Sequence, residues 1–456
     1  MKHNKYLLFF VILLIVSMVA NCTNGNIDGI KNKGDASYEC FLVVAGKGAT
    51  RDASILIAHC EDGWDGFASR LTRIERQKSK ENEISVNYVT IPQVAETYSY
   101  WAQGLSTANA RQAKNGDWIL NGMNEHGVVV TCNMMNGCRE SVVPDGKGVT
   151  RYTIRKLILE RAKTARQGMS LIGQLVDKYT LSGKAVAFCI ADSEEIWLVE
   201  TTPRHWVAKK IANSQYHIEP NHFTIGKTWD RASDGLVSYA QTQGWYSPDD
   251  GEFSFKDSYA DPAVFSDPFN SARVYQAECI LGNTLNRKID LNTLRSLVSQ
   301  PPVMDHRNQA TFIWHLKNKG PQGLGAKMWF SNCGAAINGM APIYAVSKKV
   351  PDSYRDSPGS YDVDSNSSYW NAFVLQQKLY PGLWVFGKYY LGNRLLLDRF
   401  QAEIDGKTDD VESRVIALYA KGENRKAEEL LSSHTFSELN RIAEHTDNMI
   451  KKYDIK

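Results

Sequence analysis

Cys40 is the residue whose type and position point most directly to chemistry. It stands between a polar stretch, residues 21–38, and the first run of strand-forming residues, 41–45. If everything before Cys40 were removed, its α-amine would have a pKa of about 7.7 to 8.0, close to the roughly 8.5 of a thiol. One residue would then supply both a nucleophile and the base that activates it. This pattern predicts hydrolysis of an amide bond by the Cys40 sulfur.

A predicted hairpin must position this cysteine. Residues 41–45 and 54–58 are rich in strand formers, and the residues between them are rich in turn formers. If the hairpin turns near Thr50, residue 40 lies opposite residues 59 to 60. We therefore expect Cys40, His59 and Asp62 to converge on one end of a sheet. Asp62 would either hold the freed ammonium group or cap a turn.

Other sites of chemistry are not indicated. The sequence has no G-x-S-x-G, H-E-x-x-H or G-x-x-x-x-G-K-[ST] motif. His205, His217 and His222 do not have a metal-ligand spacing with the cysteines. We therefore expect neither a metal nor an organic cofactor.

Further strands are predicted along the chain. Residues 127–131, 185–190 and 195–200 are runs of strand formers, and a tight turn joins the last two, which makes them antiparallel neighbours. Pro and Gly cluster around 301–325 and 351–360, which predicts loops there.

Helices are predicted to cover the sheet. Apolar residues recur at three- and four-residue steps on one face of a helix from about 150 to 179. Residues from about 270 to 300, and from about 369 to the C-terminus, also have helical character. The mixture predicts an α+β fold with layered helices and sheets and a helical C-terminal extension.

The N-terminus has the pattern of a signal peptide. Lys2, His3 and Lys5 precede a run of thirteen residues from Leu7 to Val19, too short to cross a hydrocarbon core of about 30 Å. We therefore expect an exported protein. Its predicted parts are a signal peptide at 1–21, a leader at 22–39 and a catalytic domain at 40–456, in which the helical tail begins at about 369.

Cys22 leaves two interpretations open. Residues 19–22 read Val-Ala-Asn-Cys, which resembles the cleavage box of a bacterial lipoprotein, and Cys22 would then carry a lipid anchor. The alternative is ordinary signal cleavage near Ala20. The expected location is the periplasm or the outer membrane of a bacterium.

Charge and cysteine content exclude other classes. The net charge is only +3, and the densest basic stretch, residues 70–80, is interleaved with acids, so a nucleic-acid surface is not expected. Cys132 and Cys138 are close enough in sequence to form a disulfide, whereas Cys189 and Cys279 are expected to be buried free thiols. No oligomeric state is indicated.

Several ordered segments carry a family resemblance. The stretch from Cys40 to Asp62 is similar to a nucleophilic Cys followed by G-K-x-A-T-x-D-G-S and an R-N-x-D-like motif. Asn-Glu-His-Gly-Val at 124–128, Lys-Thr-Ala-Arg at 163–166, Glu-Ile-Trp at 195–197 and Pro-Asn at 220–221 follow in the expected order. Together they resemble peptidase family C69, dipeptidases of the N-terminal-nucleophile superfamily related to secernins, bile-salt hydrolases and penicillin V acylases.

The resemblance implies a fold, a substrate and a set of roles. The fold would be an αββα sandwich of antiparallel sheets, and the substrate a small peptide. Cys40 would attack the scissile carbonyl, and Asp62 would orient its amine. Asn221 would donate to the oxyanion, helped by a second donor near Asn133. Arg273 falls where related hydrolases place an active-site arginine.

Three residues depart from the family pattern. His59 replaces an arginine, Cys60 an asparagine and Ala53 a glycine. His59 is assigned to substrate binding, where it would be cationic only when protonated. Two other functions remain open at this stage. One is an N-acyl amide hydrolase of the bile-salt or penicillin V type, and the other is a non-catalytic surface lipoprotein.

Overall fold

The computed structural model describes residues 40–63, 68–86, 88–105, 118–144, 146–283, 288–355 and 363–455. The predicted signal peptide and leader, including Cys22, lie outside the described residues. Within these residues, no helix is both long enough and apolar enough to cross a membrane.

The strands are short, and most of their residues are buried. In chain order they are β1 Phe41–Ala45, β2 Ile55–Asp62, β3 Ser69–Ile74, β4 Gln77–Lys78, β5 Glu83–Val86, β6 Val89–Pro92, β7 Glu96–Thr97, β8 Tyr100–Leu105, β9 Ile119–Asn124, β10 Val129–Met134, β11 Val149–Thr150, β12 Leu181–Ser182, β13 Val186–Ala191, β14 Ile196–Thr201, β15 Trp206–Ile211, β16 Tyr216–Glu219, β17 Arg231–Ala232, β18 Asn308–Leu316, β19 Ala326–Asn332 and β20 Ala341–Tyr344.

The helices flank these strands and dominate the C-terminal part. They are α1 Arg151–Arg161, α2 Ala165–Tyr179, α3 Leu236–Thr242, α4 Phe255–Tyr259, α5 Pro268–Gly282, α6 Leu291–Leu297, α7 Asp352–Arg355, α8 Ser368–Leu379, α9 Tyr390–Ala420 and α10 Asn424–Lys452.

Two large sheets form the centre of the fold. One has six strands in the order β16-β1-β2-β18-β19-β20, and the other has eight in the order β17-β15-β14-β13-β10-β9-β8-β3. Neighbouring strands in both sheets run antiparallel. The predicted hairpin of β1 and β2 and the pair of β13 and β14 are confirmed.

Alternation along β13 shows how the layers stack. Its larger side chains, Val186, Phe188 and Ile190, pack in one apolar cluster with α1 and α2. The smaller ones between them, Ala187 and Cys189, pack in another cluster with β1 and β2 of the facing sheet. Because side chains of a strand alternate between its faces, one face meets helices and the other meets the second sheet. Leu294 of α6 and Ile442 of α10 belong to that second cluster and cover the six-stranded sheet. The predicted αββα arrangement is confirmed.

The prediction of one helix from 150 to 179 is wrong in one respect. The helix ends at Arg161, and a second begins at Ala165, because the Thr164 hydroxyl accepts the Gln167 N–H as an N-cap. The Asp192 carboxylate also accepts the Ala165 N–H at 2.8 Å. The apolar periodicity continues across the break since both helices pack on the same sheet.

The loop prediction for 301–325 is also wrong in part. Residues 308–316 form β18, which lies between β2 and β19 in the middle of the six-stranded sheet. Its Thr-Phe-Ile-Trp segment is typical of a buried strand, and only the flanking residues are turn formers. The helical prediction from about 369 onward is confirmed by α8, α9 and α10.

The cysteines are unpaired where the structure describes them. Cys132 and Cys138 form no disulfide, and Cys189 is a buried free thiol as predicted. The prediction for Cys279 is wrong, since this thiol is exposed on α5. Only Asn270, Arg273, Ala277 and Leu281 of α5 are buried, and Cys279 lies on the side of this helix that faces solvent.

Candidate active site

Cys40 directly precedes β1, and the hairpin register decides what lies beside it. Phe41 pairs with Cys60 and Leu42 with His59, so one further step places Cys40 alongside Glu61. The predicted register, with residue 40 opposite 59 to 60, is off by one. The turn is centred between residues 50 and 51 rather than on 50, and a shift of one residue changes which side chains share a face. The Cys40 sulfur lies 3.8 Å from Glu61 Oε1 and 3.9 Å from the Asp62 carbonyl oxygen.

The site has two sides because successive side chains of β2 point to opposite faces of the sheet. His59 and Glu61 belong to one face of the strand, and Asp62 belongs to the other. The Glu61 carboxylate accepts a hydrogen bond from Asn121 Nδ2 at 2.9 Å. The Asp62 carboxylate accepts one from Asn308 Nδ2. Cys40, His59 and Asp62, which were expected to converge on one end of a sheet, therefore lie around the end of β2 on both of its faces.

Polar contacts link the Asp62 side chain to two of the predicted site residues, Arg273 and Asn221. Arg273 Nη2 lies 3.7 Å from Asp62 Oδ2, and both side chains are buried. Arg273 Nη1 donates to Asn221 Oδ1 at 3.5 Å, and Asn221 Nδ2 donates to the Met134 carbonyl at 2.9 Å. The Arg273 guanidinium also stacks over the Phe41 ring, 4.7 Å from its centroid. The structure thus brings Asp62, Arg273 and Asn221 together.

Asn133 and His59 form the second chain. Asn133 Nδ2 donates to the Glu219 carbonyl at 2.6 Å, so its Oδ1 is the acceptor for His59 Nε2 at 3.1 Å. The His59 proton therefore sits on Nε2. The other ring nitrogen, Nδ1, is buried without a hydrogen-bond partner and lies 3.9 Å from Glu61 Oε2. Asn133 ties His59 to the segment that leads into Asn221.

Burial controls the ionisation of this site. Desolvation, followed by the charge of Glu61, raises the pKa of the Cys40 thiol well above its usual range. Desolvation also raises the pKa of Glu61 and lowers the pKa of His59 to about 3. His59 is therefore neutral at neutral pH and does not reproduce the permanent charge of the arginine it replaces.

Four residues of the site escaped the sequence reasoning. Glu61 would have followed from the correct register, because alternation places it beside Cys40. Asn121 and Asn308 come from distant strands, and no local pattern indicates them. Arg155 of α1 is fully buried, donates to the Leu120 carbonyl at 2.6 Å and lowers the pKa of Glu61 by its charge. Its place inside an amphipathic helix gave no sign of this role.

A pair of buried carboxyl groups lies below the segment that carries Asn221. The Thr224 hydroxyl oxygen lies 2.8 Å from a carboxyl oxygen of Glu200 and 2.8 Å from one of Glu219, so it donates its single hydrogen to one carboxyl group and accepts a hydrogen bond from the other. Burial raises the pKa of Glu219 to about 8, and burial together with the charge of Glu219 raises the pKa of Glu200 well above its usual range. At neutral pH this pair retains at least one proton.

These carboxyl groups give a pH-dependent stability. An unfolded glutamate loses its proton near pH 4.3, whereas folded Glu219 keeps it to about pH 8, so the folded state binds more protons between these values. Stability must then fall as pH rises through that window. We expect the free energy of unfolding, measured with urea, to decrease by about 1 kcal/mol or more between pH 6 and 8. Glu219→Gln should flatten that decrease.

The matched control for this measurement is Glu278→Gln. Glu278 accepts a hydrogen bond from Tyr216 at 2.7 Å, near the same strand but on the surface. Its substitution should leave the pH slope as in the unchanged protein. Equal slopes for Glu219→Gln and the unchanged protein would contradict the assignment of the proton to this pair.

One cluster of the described residues has the composition of a metal site. Ligand atoms of Cys40, His59 and Glu61 all lie within 4.8 Å of one another, and all three residues are buried. A thiol, an imidazole and a carboxylate are ligands that Zn²⁺ accepts.

The fold and site together define a class of enzyme. Two facing antiparallel sheets lie between helices, and a buried cysteine precedes the first strand of one of them, which is the architecture of N-terminal-nucleophile hydrolases. The sequence profile of peptidase family C69 matches residues 39–294, more than half of the chain. The chain belongs to peptidase family C69.

Individual relatives agree with this membership. The probable dipeptidase B of Lactococcus lactis subsp. lactis (strain IL1403) is 24% identical over 387 residues, which cover 73% of this chain and 79% of the relative. The probable dipeptidase A of Streptococcus pyogenes serotype M18 (strain MGAS8232) is 20% identical over 475 residues, covering 91% and 97%. The predicted family and enzyme class, a peptidase, are confirmed.

Solved structures with a similar chain path include two hydrolases. A penicillin V acylase from Agrobacterium tumefaciens has a TM-score of 0.37 at 11% identity, covering 64% of this chain and 86% of its own. A variant of the conjugated bile acid hydrolase from Clostridium perfringens has a TM-score of 0.40 at 13% identity, covering 67% and 92%.

Proposed function

We propose that this chain is an exported dipeptidase whose nucleophile is the Cys40 thiol, activated by the α-amine that leader removal sets free. The observation that carries the proposal is the position of Cys40. It directly precedes β1, with its sulfur 3.8 Å from Glu61 and beside the chain of contacts from Asp62 through Arg273 to Asn221. A cut before Cys40 would create a free amine at this point.

The free amine is needed because the buried thiol is a poor acid. Burial and Glu61 raise the pKa of Cys40, so the thiol keeps its proton at neutral pH. In the uncut chain the nitrogen of Cys40 is part of a peptide bond and cannot accept that proton. A freed amine, with a pKa of about 7.7 to 8.0, is basic enough to accept it. Asp62 is proposed to orient the resulting ammonium group.

The reaction then proceeds in two halves. The amine takes the Sγ proton while the sulfur attacks the scissile carbonyl carbon, and the carbonyl oxygen becomes an oxyanion. The ammonium gives its proton to the leaving nitrogen as the C–N bond breaks, which releases the first product and leaves a thioester. The amine next takes a proton from water, whose oxygen attacks the thioester. The C–S bond breaks, the ammonium returns the proton to the sulfur, and the second product leaves as an acid.

Asn221 is proposed to stabilise the oxyanion. Its Nδ2 carries two hydrogens, and one of them is given to the Met134 carbonyl, so the other remains for the substrate. A donor fixed in this way can lower the barrier by about 3 to 4 kcal/mol. Asn133 binds the Glu219 carbonyl and so holds the segment before Asn221 in place. The second donor expected near Asn133 stays a prediction.

Glu61 supports a dipeptide as the substrate. The α-amine of a dipeptide lies only two bonds from the carbonyl that Cys40 attacks, and it needs a nearby acidic partner. Glu61 is buried within 3.8 Å of the attacking sulfur and is held by Asn121. We propose that Glu61 binds the ammonium group of the substrate. The names of the relatives, probable dipeptidases, agree with this choice.

Export is part of the proposal and rests on the sequence of the first 22 residues. The signal-like segment would carry the chain out of the cytoplasm, and Cys22 would be lipidated or lost with the signal peptide. If Cys22 carries a lipid, a later cut before Cys40 releases the enzyme from its anchor.

The decisive experiment is to determine the N-terminus of the active protein. Protein purified from the exported fraction is expected to begin at Cys40 by intact-mass analysis and to cleave dipeptides. It should cleave N-acetylated dipeptides far more slowly, because they lack the ammonium group that Glu61 binds. Glu61→Gln should raise KM for free dipeptides and leave KM for the acetylated ones nearly unchanged.

Two outcomes would reject parts of this proposal. Active protein that begins at Cys22 would rule out the amine of Cys40 as the base. A preference for N-acyl substrates would instead assign the chain to the acylases.

A further inference from the structure

The cluster of Cys40, His59 and Glu61 has dimensions that suit a small cation. Tetrahedral Zn²⁺ holds sulfur about 2.3 Å away and nitrogen or oxygen about 2.0 Å away, so its ligand atoms are roughly 3.3 to 3.5 Å apart. Cys40 Sγ and Glu61 Oε1 are 3.8 Å apart, and His59 Nδ1 and Glu61 Oε2 are 3.9 Å apart. One ligand atom from each of the three residues lies within 4.8 Å of the others, so side-chain movements of about 1 Å would bring all three onto one ion.

The unpartnered nitrogen of His59 points to a ligand. His59 is completely buried, and its Nδ1 has no hydrogen-bond partner in the described part of the chain. Asn133 Oδ1 holds the proton on Nε2, so Nδ1 presents a lone pair toward Glu61. A neutral imidazole with one nitrogen fixed by a hydrogen bond and the other free is the form that binds metal ions.

The surroundings are already arranged around these ligands. Asn121 holds Glu61 and Asn133 holds His59, as outer partners do in metal sites. A thiolate and a carboxylate together balance the two charges of the cation. The buried charge of Arg155 opposes it in part, since Arg155 already offsets the charge of Glu61.

We propose that Cys40, His59 and Glu61 bind a thiophilic divalent cation of the Zn²⁺ type, and that the bound ion reversibly blocks the enzyme. The thiol releases its proton to solvent and its sulfur binds the ion, so the nucleophile is no longer available. The ion also occupies Glu61, the group assigned to the substrate ammonium. The blocking effect rests on the proposed function, whereas the metal binding does not.

Processing would strengthen this site. Three ligands leave one position of a tetrahedral ion open. After a cut before Cys40, the α-amine and the sulfur of the same residue can chelate one ion. The mature enzyme is therefore expected to bind the ion more tightly than the uncut chain.

Cobalt provides the test, because Co²⁺ takes zinc-like geometry and is visible by absorption. Purified mature protein, freed of metal with a chelator, is titrated with Co²⁺. We expect one ion per chain, with a thiolate-to-cobalt charge-transfer band and tetrahedral d–d bands that Zn²⁺ removes. Dipeptide hydrolysis is measured in parallel, and it should fall in step with Zn²⁺ occupancy and return with chelator.

Variants identify the ligands. His59→Gln and Glu61→Gln should each weaken Co²⁺ binding by about 100-fold, because even outer partners of a metal are worth about 10 to 100-fold. Cys40→Ser should lose the charge-transfer band. The controls are His126→Gln and Cys279→Ser, which change a partly exposed histidine and the exposed thiol and should bind Co²⁺ as the unchanged protein does.

The outcomes of these experiments test the metal site and the blocking effect separately. Unchanged affinity in folded His59→Gln and Glu61→Gln, or a band that Cys279→Ser removes, would overturn the site. Full activity with the ion bound would overturn the blocking effect alone. If the metal-free protein cleaves no dipeptide, the proposed function fails. The cobalt titration still tests the metal site in that case.

Discussion

Cys40→Ala is expected to lower the rate of dipeptide hydrolysis by about 10⁴-fold or more, to a level set by residual binding alone. Losing a nucleophile removes the covalent pathway, and effects of this size or larger are measured when a catalytic nucleophile is deleted. The leader should also stay attached if Cys40 performs the cut itself. The measurements are kcat on a dipeptide and the intact mass of the product.

Cys189→Ala is the matched control for this change. Cys189 is as buried as Cys40, but it lies on β13. Its substitution removes the same sulfur atom and leaves a similar small cavity, so it should lower stability slightly and leave kcat within a few-fold. Comparable losses in both variants would show that Cys40 acts through packing rather than through chemistry.

Asp62→Leu is expected to lower the free energy of unfolding by about 3 to 5 kcal/mol. The substitution leaves the Arg273 guanidinium, which is fully buried, without the carboxylate 3.7 Å away. An uncompensated buried charge is costly, whereas removing both partners is much less so. The double variant Asp62→Leu with Arg273→Met should therefore recover much of the loss. Urea unfolding of the two single variants and the double variant measures this.

Activity separates this stability effect from a catalytic one. Asp62 is also assigned to the ammonium group of Cys40, so the double variant should regain stability without regaining turnover. A double variant as unstable as Asp62→Leu would show that the two side chains are not energetically coupled. Recovered turnover would remove Asp62 from the mechanism.

Local patterns were sufficient for the strands near Cys40. The alternation and turn residues of 41–58 predicted the hairpin, whereas the roles of Asp62, Asn221 and Arg273 in the site were expected from the family resemblance. The error of one residue in the register came from the turn. Ala53 has a positive φ of 56° there, which its residue type does not predict. That single step makes Glu61, rather than residues 59 to 60, the direct neighbour of Cys40.

Contacts between distant segments were beyond local patterns. Asn308 reaches Asp62 across 246 positions, and the strand that carries it was taken for a loop. The position of the Arg155 charge close to Glu61 results from the packing of α1 on the sheet, and the helical periodicity of α1 does not indicate it. The neutral state of His59 follows from complete burial, which its residue type alone could not predict.

The central place of β18 has a consequence for the timing of maturation. This strand pairs with β2 along its whole length and brings Asn308 to Asp62. Because the ribosome makes the chain from its N-terminus, the edge of β2 that pairs with β18 has no partner strand until residue 316 has emerged. The surroundings of Cys40 are therefore complete only after residue 316 of the 456 has been made, and we expect any self-cleavage of the leader only after that point.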